Sequence, residues 1–234
     1  MKQINIIFIF FTFSALLFTS SCVSLTGFNT GRTTPKGAGE FNANLTVVET
    51  VDYERDSTTF VPTLYVPVVE VGGRFGIIER LDAGIRISTT ANILIDAKYQ
   101  FVGTQDSPLA MAIGAGVGFT PLASLGITVF NFQVPLSISY HPTEKIHIYV
   151  SPRYIYQRAG QISQFFGSAN YSGWNAGVLF GKEFKFGLDV GNYRLRGDGG
   201  KTGLDYDRKN LFNAGLGMFF TFGGNKEGQE RRGF

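Results

Sequence analysis

Apolar and polar side chains alternate along most of the chain, so that every second residue is apolar over long stretches. Side chains of a β-strand point alternately to its two faces, so this pattern predicts strands with one apolar and one polar face. The clearest stretch, residues 130–140, has eleven residues. That is about the length of a tilted strand that crosses a bilayer, whereas strands of soluble sheets are usually nearer five or six residues. Its apolar face consists of Phe130, Phe132, Val134, Leu136, Ile138 and Tyr140.

The alternation recurs often enough to predict ten strands. Backbone polar groups in hydrocarbon must be satisfied internally, so a sheet that spans a membrane has to close on itself. An even number of strands places both termini on one side, as in single-chain bacterial barrels. The sequence therefore predicts an all-β fold, a closed antiparallel up-and-down transmembrane β-barrel of about ten strands, with eight as the alternative. The predicted strands are residues 40–50, 63–77, 81–88, 93–101, 109–119, 130–140, 146–156, 173–181, 184–193 and 210–222.

The connections between the predicted strands differ in length. The longer ones, near residues 55, 165 and 200, all fall on the side of the barrel opposite the termini. In bacterial barrels that side is the cell exterior. Because nothing else is predicted to project as far, the predicted loops at residues 157–171 and 194–209 are the candidates for contacting an extracellular or outer-membrane protein partner.

Three prolines, Pro67, Pro135 and Pro152, lie inside predicted strands. Proline has no backbone N–H, so each removes one hydrogen bond from the ladder between strands. We expect β-bulges or over-long strand ends to accommodate them.

The composition is that of a strand-and-turn protein with one face in lipid. The 234 residues include 30 Gly and 23 Phe but only one Cys, one Trp and two His. Charged residues make up 17%, below the roughly 25% of typical soluble domains. The net charge of +3 is spread along the chain, without the clustered Lys and Arg beside stacking aromatics that nucleic-acid binding requires. No nucleic-acid partner is predicted.

The first residues have the pattern of a secretory leader. Lys2 precedes an apolar stretch over residues 4–18, and small residues and Cys22 follow. This stretch is too short for a membrane-spanning helix, which needs about twenty residues, so residues 1–21 are predicted to be a signal peptide. It resembles a bacterial lipoprotein signal, and the resemblance implies lipidation at Cys22. Thr19 stands where lipoprotein signals prefer an aliphatic residue, which leaves an ordinary cleavage site near Cys22 as the alternative.

Residues 22–39 show no sustained period and are rich in Gly, Thr and Pro, so they are predicted to be a linker to a barrel domain at 40–222. Residues 30–37 resemble a segment that precedes the first strand in some small bacterial outer-membrane barrels. Residues 215–222 resemble the C-terminal signal that the outer-membrane assembly machinery recognises, although here a predicted periplasmic tail, residues 223–234, follows. These resemblances imply a protein of the bacterial outer membrane, in contact with membrane lipids and with the assembly machinery.

Six charged residues are predicted to meet on the inward face. A tight turn near residue 79 joins the second and third predicted strands. The resulting register sets Arg74 diagonal to Asp82. It also sets Glu70 diagonal to Arg86, which Asp96 on the next strand approaches. The predicted lumen charge network is Glu70, Arg74, Asp82, Arg86, Asp96 and Lys98.

The predicted network has two interpretations. Its charges either neutralise one another and stiffen the barrel, or line a selectivity path for a small solute. Barrels of eight strands are filled by side chains and those of sixteen or more hold channels, so ten strands favour the first interpretation. The inward residues of strands five and six are small, which leaves either a narrow wet groove or room for the side chains of Lys98 and Arg153.

No catalytic, metal-binding or cofactor-binding site is predicted. The two histidines, His141 and His147, fall at the short-turn end of the barrel, away from the outer leaflet where outer-membrane hydrolases act. One Cys and two His give little support for a metal site. The predicted function is therefore a structural or interaction role without catalysis. The alternatives left open are a narrow porin-like channel or transporter for small solutes, and a soluble barrel that binds an apolar ligand.

Overall fold

Ten antiparallel strands close into a single barrel. The computed structural model describes residues 25–49, 65–122, 127–161, 164–198 and 206–223. Each strand pairs with its neighbours in the chain, and β1 pairs with β10 to complete the circle. This confirms the predicted all-β closed barrel, with ten strands. The strands are β1 (Ala38–Glu49), β2 (Tyr65–Ile78), β3 (Leu81–Ser88), β4 (Ile93–Val102), β5 (Leu109–Leu122), β6 (Ile127–Thr143), β7 (Ile146–Gln161), β8 (Gln164–Gly181), β9 (Phe184–Asp198) and β10 (Tyr206–Gly223).

The predicted signal peptide at residues 1–21 and the predicted lipidation site Cys22 lie outside the described residues, as does the predicted tail beyond Gly223. In the described part of the chain, no helix is long and apolar enough to cross a membrane.

The two ends of the barrel differ in their connections. Ala38 and Gly223 lie at the end that we call the turn end, and we call the opposite end the loop end. The connections at the turn end are residues 79–80, 103–108, 144–145 and 182–183, and those at the loop end are residues 50–64, 89–92, 123–126, 162–163 and 199–205.

The alternation of apolar and polar residues in the sequence correctly predicts which side chains point outward and which point into the lumen. Phe130 is 55% exposed, whereas the adjacent Asn131 is 5% exposed. On β4, Ile95 is 57% exposed and Asp96 is 6% exposed. Apolar side chains therefore cover the outside of the barrel and polar side chains point into the lumen. A bilayer requires an outward apolar band of this kind.

Aromatic side chains lie on the outside of the barrel toward both ends. Such girdles mark the two interfaces of a membrane with water. Toward the turn end they include Tyr99, Phe101, Tyr140, Phe184 and Phe222, and toward the loop end they include Tyr65, Phe119, Phe130 and Phe212.

Two stretches that the sequence predicts as loops are mostly strand. The ends of β7 and β8 occupy residues 157–171 and leave only 162–163 between them. Likewise, β9 and β10 occupy most of residues 194–209. Strand pairing needs only cross-strand backbone hydrogen bonds, and outward apolar side chains are needed only inside hydrocarbon. The loop predictions were wrong because the apolar alternation ends before the strand does.

The three prolines are not accommodated by bulges. The register shifts in the described strands lie near strand ends, away from the prolines. Pro67 and Pro152 are exposed on the outer face. The pairing between β5 and β6 skips from Gln133 to Leu136, so the ladder is interrupted at Pro135. An interrupted ladder thus takes the place of the bulge expected at Pro135.

Candidate functional site in the barrel lumen

The lumen is occupied by the residues that precede β1. Residues 25–37, which we call the lumen segment, enter at the turn end, where the Gly37 N–H donates to the Gly76 carbonyl at 2.9 Å. The segment continues into the barrel as far as Leu25, which is buried. Residues 25–34 of the predicted linker, residues 22–39, therefore lie inside the barrel, whereas residues 35–37 are exposed at the turn end and residues 38–39 begin β1.

Wall side chains supply hydrogen bonds to the backbone of the segment near the turn end. The Thr34 N–H donates to Asp82 Oδ2 at 2.7 Å. The Gly31 N–H donates to Ser139 Oγ at 2.9 Å. Each buried backbone group left without such a partner would cost about as much as a lost hydrogen bond. The inward polar side chains thus provide hydrogen-bond partners for the backbone of the lumen segment. We call this set of inward side chains the seat of the segment.

Two buried cations bind carbonyl groups of the segment. Lys98 Nζ donates to the Arg32 carbonyl at 2.7 Å and to the Thr30 carbonyl at 3.1 Å. Farther from the turn end, Arg153 Nη1 donates to the Thr26 carbonyl at 3.0 Å. Both cationic side chains therefore hold the segment in the lumen as well as filling space.

Small residues on β5 allow close approach across the lumen face. A Cβ atom at Gly31 would overlap the Ala110 carbonyl oxygen, so the segment lies directly against the wall there. A Cβ atom at Gly116 would lie 2.9 Å from Asp96 Cβ and 3.1 Å from Gln133 Nε2. Neighbouring side chains and the lumen segment thus occupy the space that these small residues leave.

Arg74 is the centre of the inward charge network. Its guanidinium contacts Asp82 Oδ1 at 2.5 Å and Asp96 Oδ2 at 2.9 Å. Asp82 is fully buried and Asp96 nearly so. Removing such charges from water costs several kcal/mol per ion, which good geometry and further hydrogen bonds offset. These contacts tie β2, β3 and β4 together.

The remaining members of the network lie on the same three strands. Arg86 Nη1 lies 3.3 Å from Glu70 Oε1, and its Nη2 lies 3.8 Å from Asp96 Oδ2. Lys98 Nζ lies 3.8 Å from Asp82 Oδ2. The structure thus brings all six predicted residues together. Because Asp82 and Lys98 also bind the backbone of the lumen segment, the network is part of the seat.

A second polar cluster, which the sequence did not reveal, lies on β7, β8 and β9. Asp189 Oδ2 accepts a hydrogen bond from the Tyr149 hydroxyl at 2.6 Å, and its Oδ1 accepts one from Asn175 Nδ2 at 2.8 Å. The Tyr193 hydroxyl donates to Asn175 Oδ1. The Gly27 backbone N–H also bonds to Asp189. Strand parity places these side chains in the lumen, but no spacing in the sequence links them to Gly27.

Apolar side chains surround Leu25 toward the loop end. We call this group the apolar collar. It differs from the polar lumen that the alternation predicts, because the inward residues at this level are aliphatic or aromatic. Leu25 packs among them and fills the space they enclose. The members are Val48, Val68, Ile155, Tyr171, Tyr193, Leu195 and Leu211.

The two histidines contact each other at the turn end. The Nδ1 atoms of His141 and His147 are 2.6 Å apart. The other ring nitrogens bond to the Ser139 hydroxyl at 2.7 Å and to the Gly181 carbonyl at 3.2 Å. Both ring nitrogens of each histidine thus take part in hydrogen bonds within the barrel. Among the described residues, no three His, Cys, Asp or Glu side chains are placed to hold a metal ion.

The structure resembles those of bacterial outer-membrane barrels. The attachment invasion locus protein Ail of Yersinia pestis aligns at a TM-score of 0.34 and 12% identity, over 80% of this chain and 99% of that chain. The outer membrane protease OmpT of Escherichia coli aligns at 0.39 and 9%, over 86% and 100%. The NanC porin aligns at 0.40 and 12%, over 77% and 98%. The likeness concerns the fold alone.

No family model and no curated protein matches the sequence.

Proposed function

We propose that the protein is an integral protein of the bacterial outer membrane with a structural or interaction role, whose barrel is closed by its own lumen segment. The filled lumen carries this proposal. Side chains from Asp82 near the turn end to Arg153 farther along bind the backbone of the segment. The proposed role includes neither catalysis nor passive conduction.

The outer surface of the barrel supports a membrane location. Outward side chains such as Ile95 and Leu216 are each 57% exposed. Burying apolar surface is favourable by about 25 cal/mol per Å², and lipid would bury this band. The ion pairs of β2, β3 and β4 face the lumen instead. A soluble barrel that binds an apolar ligand requires the opposite arrangement, so the facing of the strands argues against that alternative.

The size of the barrel argues against an open channel. Strands about 4.8 Å apart and tilted by about 40° give a ten-strand barrel a backbone radius of about 10 Å. A barrel of eight strands is already filled by side chains. Ten strands therefore leave room for about one further chain segment, and residues 25–34 occupy that room.

The same proposal covers the remaining contacts of the protein. Lipid would surround the apolar band, and the end of β10, residues 215–222, would bind the assembly machinery. The hairpins that contain residues 157–171 and 194–209 are the proposed surface for an extracellular or outer-membrane protein partner. Removal of residues 1–21 with lipidation of Cys22 is also part of the proposal, and the mass of the mature protein distinguishes it from ordinary cleavage.

Conductance across planar bilayers tests whether the lumen is closed. The informative variant is Gly76→Val, because a Cβ atom there would overlap the Pro35 carbonyl oxygen of the lumen segment. The matched control is Gly73→Val on the same strand, because a Cβ atom there meets only the Glu40 carbonyl oxygen, at 3.8 Å.

We expect no conductance steps from the wild-type protein or from Gly73→Val, and steps from Gly76→Val, because the larger side chain displaces the segment. Steps from the wild-type protein that vanish with Arg86→Ala would instead support the porin-like alternative. Release of the wild-type protein from membranes by carbonate without detergent would contradict the membrane location itself.

A further inference from the structure

We infer that the outer surface of β7, β8 and β9 at the loop end binds an anionic lipid, whose headgroup contacts arginines and whose acyl chain lies in an adjacent apolar groove. The inference rests on the proposed membrane location of the barrel and adds to it a binding site and a class of lipid. It concerns the leaflet that surrounds the loop end.

The outer face of β9 changes from apolar to cationic toward the loop end. Its outward side chains are apolar as far as Val190, whereas Arg194 and Arg196 on the same face are exposed polar residues. Arg194 pairs with Asn210 of β10, two residues beyond Phe212, which belongs to the aromatic girdle of the loop end. The two arginines therefore lie at the level of lipid headgroups, at the edge of the apolar band.

A third arginine lies at this level on β7. Arg158 is exposed and pairs with Phe130 of β6, another residue of the loop-end girdle. On β8, Ser168 pairs with Arg158 and Asn170 pairs with Arg196, so the Cα atoms of the two arginines are about 12 Å apart across β8. Arginine side chains are long enough to reach one headgroup from both positions.

The charge of this surface favours an anion. Residues 158–161, 164–172 and 194–198, the described loop-end parts of β7, β8 and β9, contain three arginines and one acidic residue, Asp198. Exposed Ser172 of β8, which pairs with Arg194, adds a hydroxyl group. Arginine binds phosphate with a planar fork of N–H donors. A phosphate headgroup with a net negative charge therefore fits this surface.

An apolar groove of about 570 Å³ extends from Arg158 into the apolar band, a volume within the range of small-molecule sites. Phe132 on the groove wall pairs with Val117 and with Tyr156, and it lies two residues farther from the loop end than Phe130. The groove therefore leads from the headgroup level into the hydrocarbon, which is the course of an acyl chain. The lining residues include Val117, Phe130, Phe132, Tyr156, Arg158 and Gly160.

The two parts of the surface together select a lipid. A soluble phosphate would contact the arginines and leave the groove to other molecules. An uncharged apolar molecule would fill the groove and leave the arginines without an anion. A lipid whose chain lies in the groove places its headgroup at Arg158, one strand away from Arg196, so it uses both parts.

Native mass spectrometry of the purified protein in neutral detergent tests the inference. The probes are phosphatidylglycerol and phosphatidylcholine with identical acyl chains, and glycerol 3-phosphate as a headgroup without chains. Arg158→Gln and Arg196→Gln each remove one charge, and Arg80→Gln, exposed in the turn between β2 and β3, is the control at the turn end. Val117→Trp fills the groove, and its control is Ile95→Trp, the partner of Val117 on β4, which does not line the groove.

Urea unfolding first establishes that each variant folds. We expect phosphatidylglycerol to bind more tightly than phosphatidylcholine, and each arginine variant to weaken its binding about fivefold, the contribution of one basic residue near a membrane surface. Val117→Trp should weaken its binding as well. Arg80→Gln and Ile95→Trp should leave its affinity unchanged, and glycerol 3-phosphate should not compete with it.

Equal affinity for the two lipids would overturn the inference. Unchanged affinity in the arginine variants would also overturn it and would assign the arginines to a protein partner instead. Competition by glycerol 3-phosphate, together with no effect of Val117→Trp, would identify a site for a soluble anion and not for a lipid. A barrel that gives any of these results but resists carbonate extraction keeps its membrane location, whereas release by carbonate refutes the proposed function and the inference with it.

Discussion

Replacing Arg74 by methionine isolates the contribution of buried charge to this barrel. Methionine keeps most of the length of the side chain and removes its charge. The variant loses the contacts of the guanidinium with Asp82 at 2.5 Å and with Asp96 at 2.9 Å. The side chains of these two carboxylates are 0% and 5% exposed, so water cannot replace the lost partner without opening the lumen.

The expected loss follows from the partners that remain. Removing one member of a buried ion pair typically costs about 3 to 5 kcal/mol, because an uncompensated charge stays buried. Asp82 keeps Lys98 at 3.8 Å, and Asp96 keeps Arg86 at 3.8 Å. We therefore expect the lower end of the range, a loss of about 3 kcal/mol in the free energy of unfolding.

The matched control is Lys182→Met, which breaks a pair with Glu144 at 2.7 Å whose side chains are 52% and 78% exposed. An exposed pair of this kind contributes about 0 to 1 kcal/mol. Urea unfolding in lipid vesicles, followed by the fluorescence of Trp174, the single tryptophan, gives both free energies by linear extrapolation. Equal losses in the two variants would refute the reasoning, and a smaller loss when Asp82→Asn accompanies Arg74→Met would support it.

Two further substitutions test the contacts of the lumen segment and its seat. Leu25→Ala should cost about 2 to 4 kcal/mol in the same unfolding assay, because it empties the apolar collar. Leu45→Ala on the outer face should cost less, since lipid can fill the space, and equal losses would contradict the packing of Leu25. Tyr149→Phe removes the hydrogen bond to Asp189 and should cost about 1 to 2 kcal/mol. The outward Tyr156→Phe should change stability little, and a Tyr149→Phe variant as stable as wild type would refute the role of that bond.

The sequence could predict which side chains of each strand point outward, because this depends on a local property. That property is the alternation of apolar and polar residues with a period of two. To predict the inward charge network, only one more observation was needed, the position of a turn. Once the turn near residue 79 is recognised, the register between β2 and β3 follows, and with it the approach of Arg74 to Asp82. These contacts join residues that are close in the sequence, so the pattern of a few strands was sufficient.

The lumen segment could not be predicted because its contacts are distant in the sequence. Gly31 bonds to Ser139, 108 residues away, and the Leu25 carbonyl bonds to Asn175, 150 residues away. An irregular segment shows no period, and its Gly, Thr and Pro content is also that of a linker. The inward Asp189 was missed for the same reason, since its partner Gly27 belongs to this segment.

A disulfide between the lumen segment and the wall tests the filled lumen most directly. The hydroxyls of Thr26 and Thr46 are 3.2 Å apart, so cysteines at the two positions place their sulfur atoms within reach of a bond of about 2 Å. The double variant with Thr26→Cys and Thr46→Cys, and its control, are both made in a chain that carries Cys22→Ser. The control combines Thr46→Cys with Thr221→Cys, which lies six residues along β10 from Gly215, the partner of Thr46.

In the folded protein, mild oxidation should join the first pair, as mass spectrometry of the proteolytic fragments would show, and leave the control pair reduced. A folded barrel in which the cysteines at residues 26 and 46 remain reduced under the same oxidant would contradict the account, because the segment would then lie elsewhere.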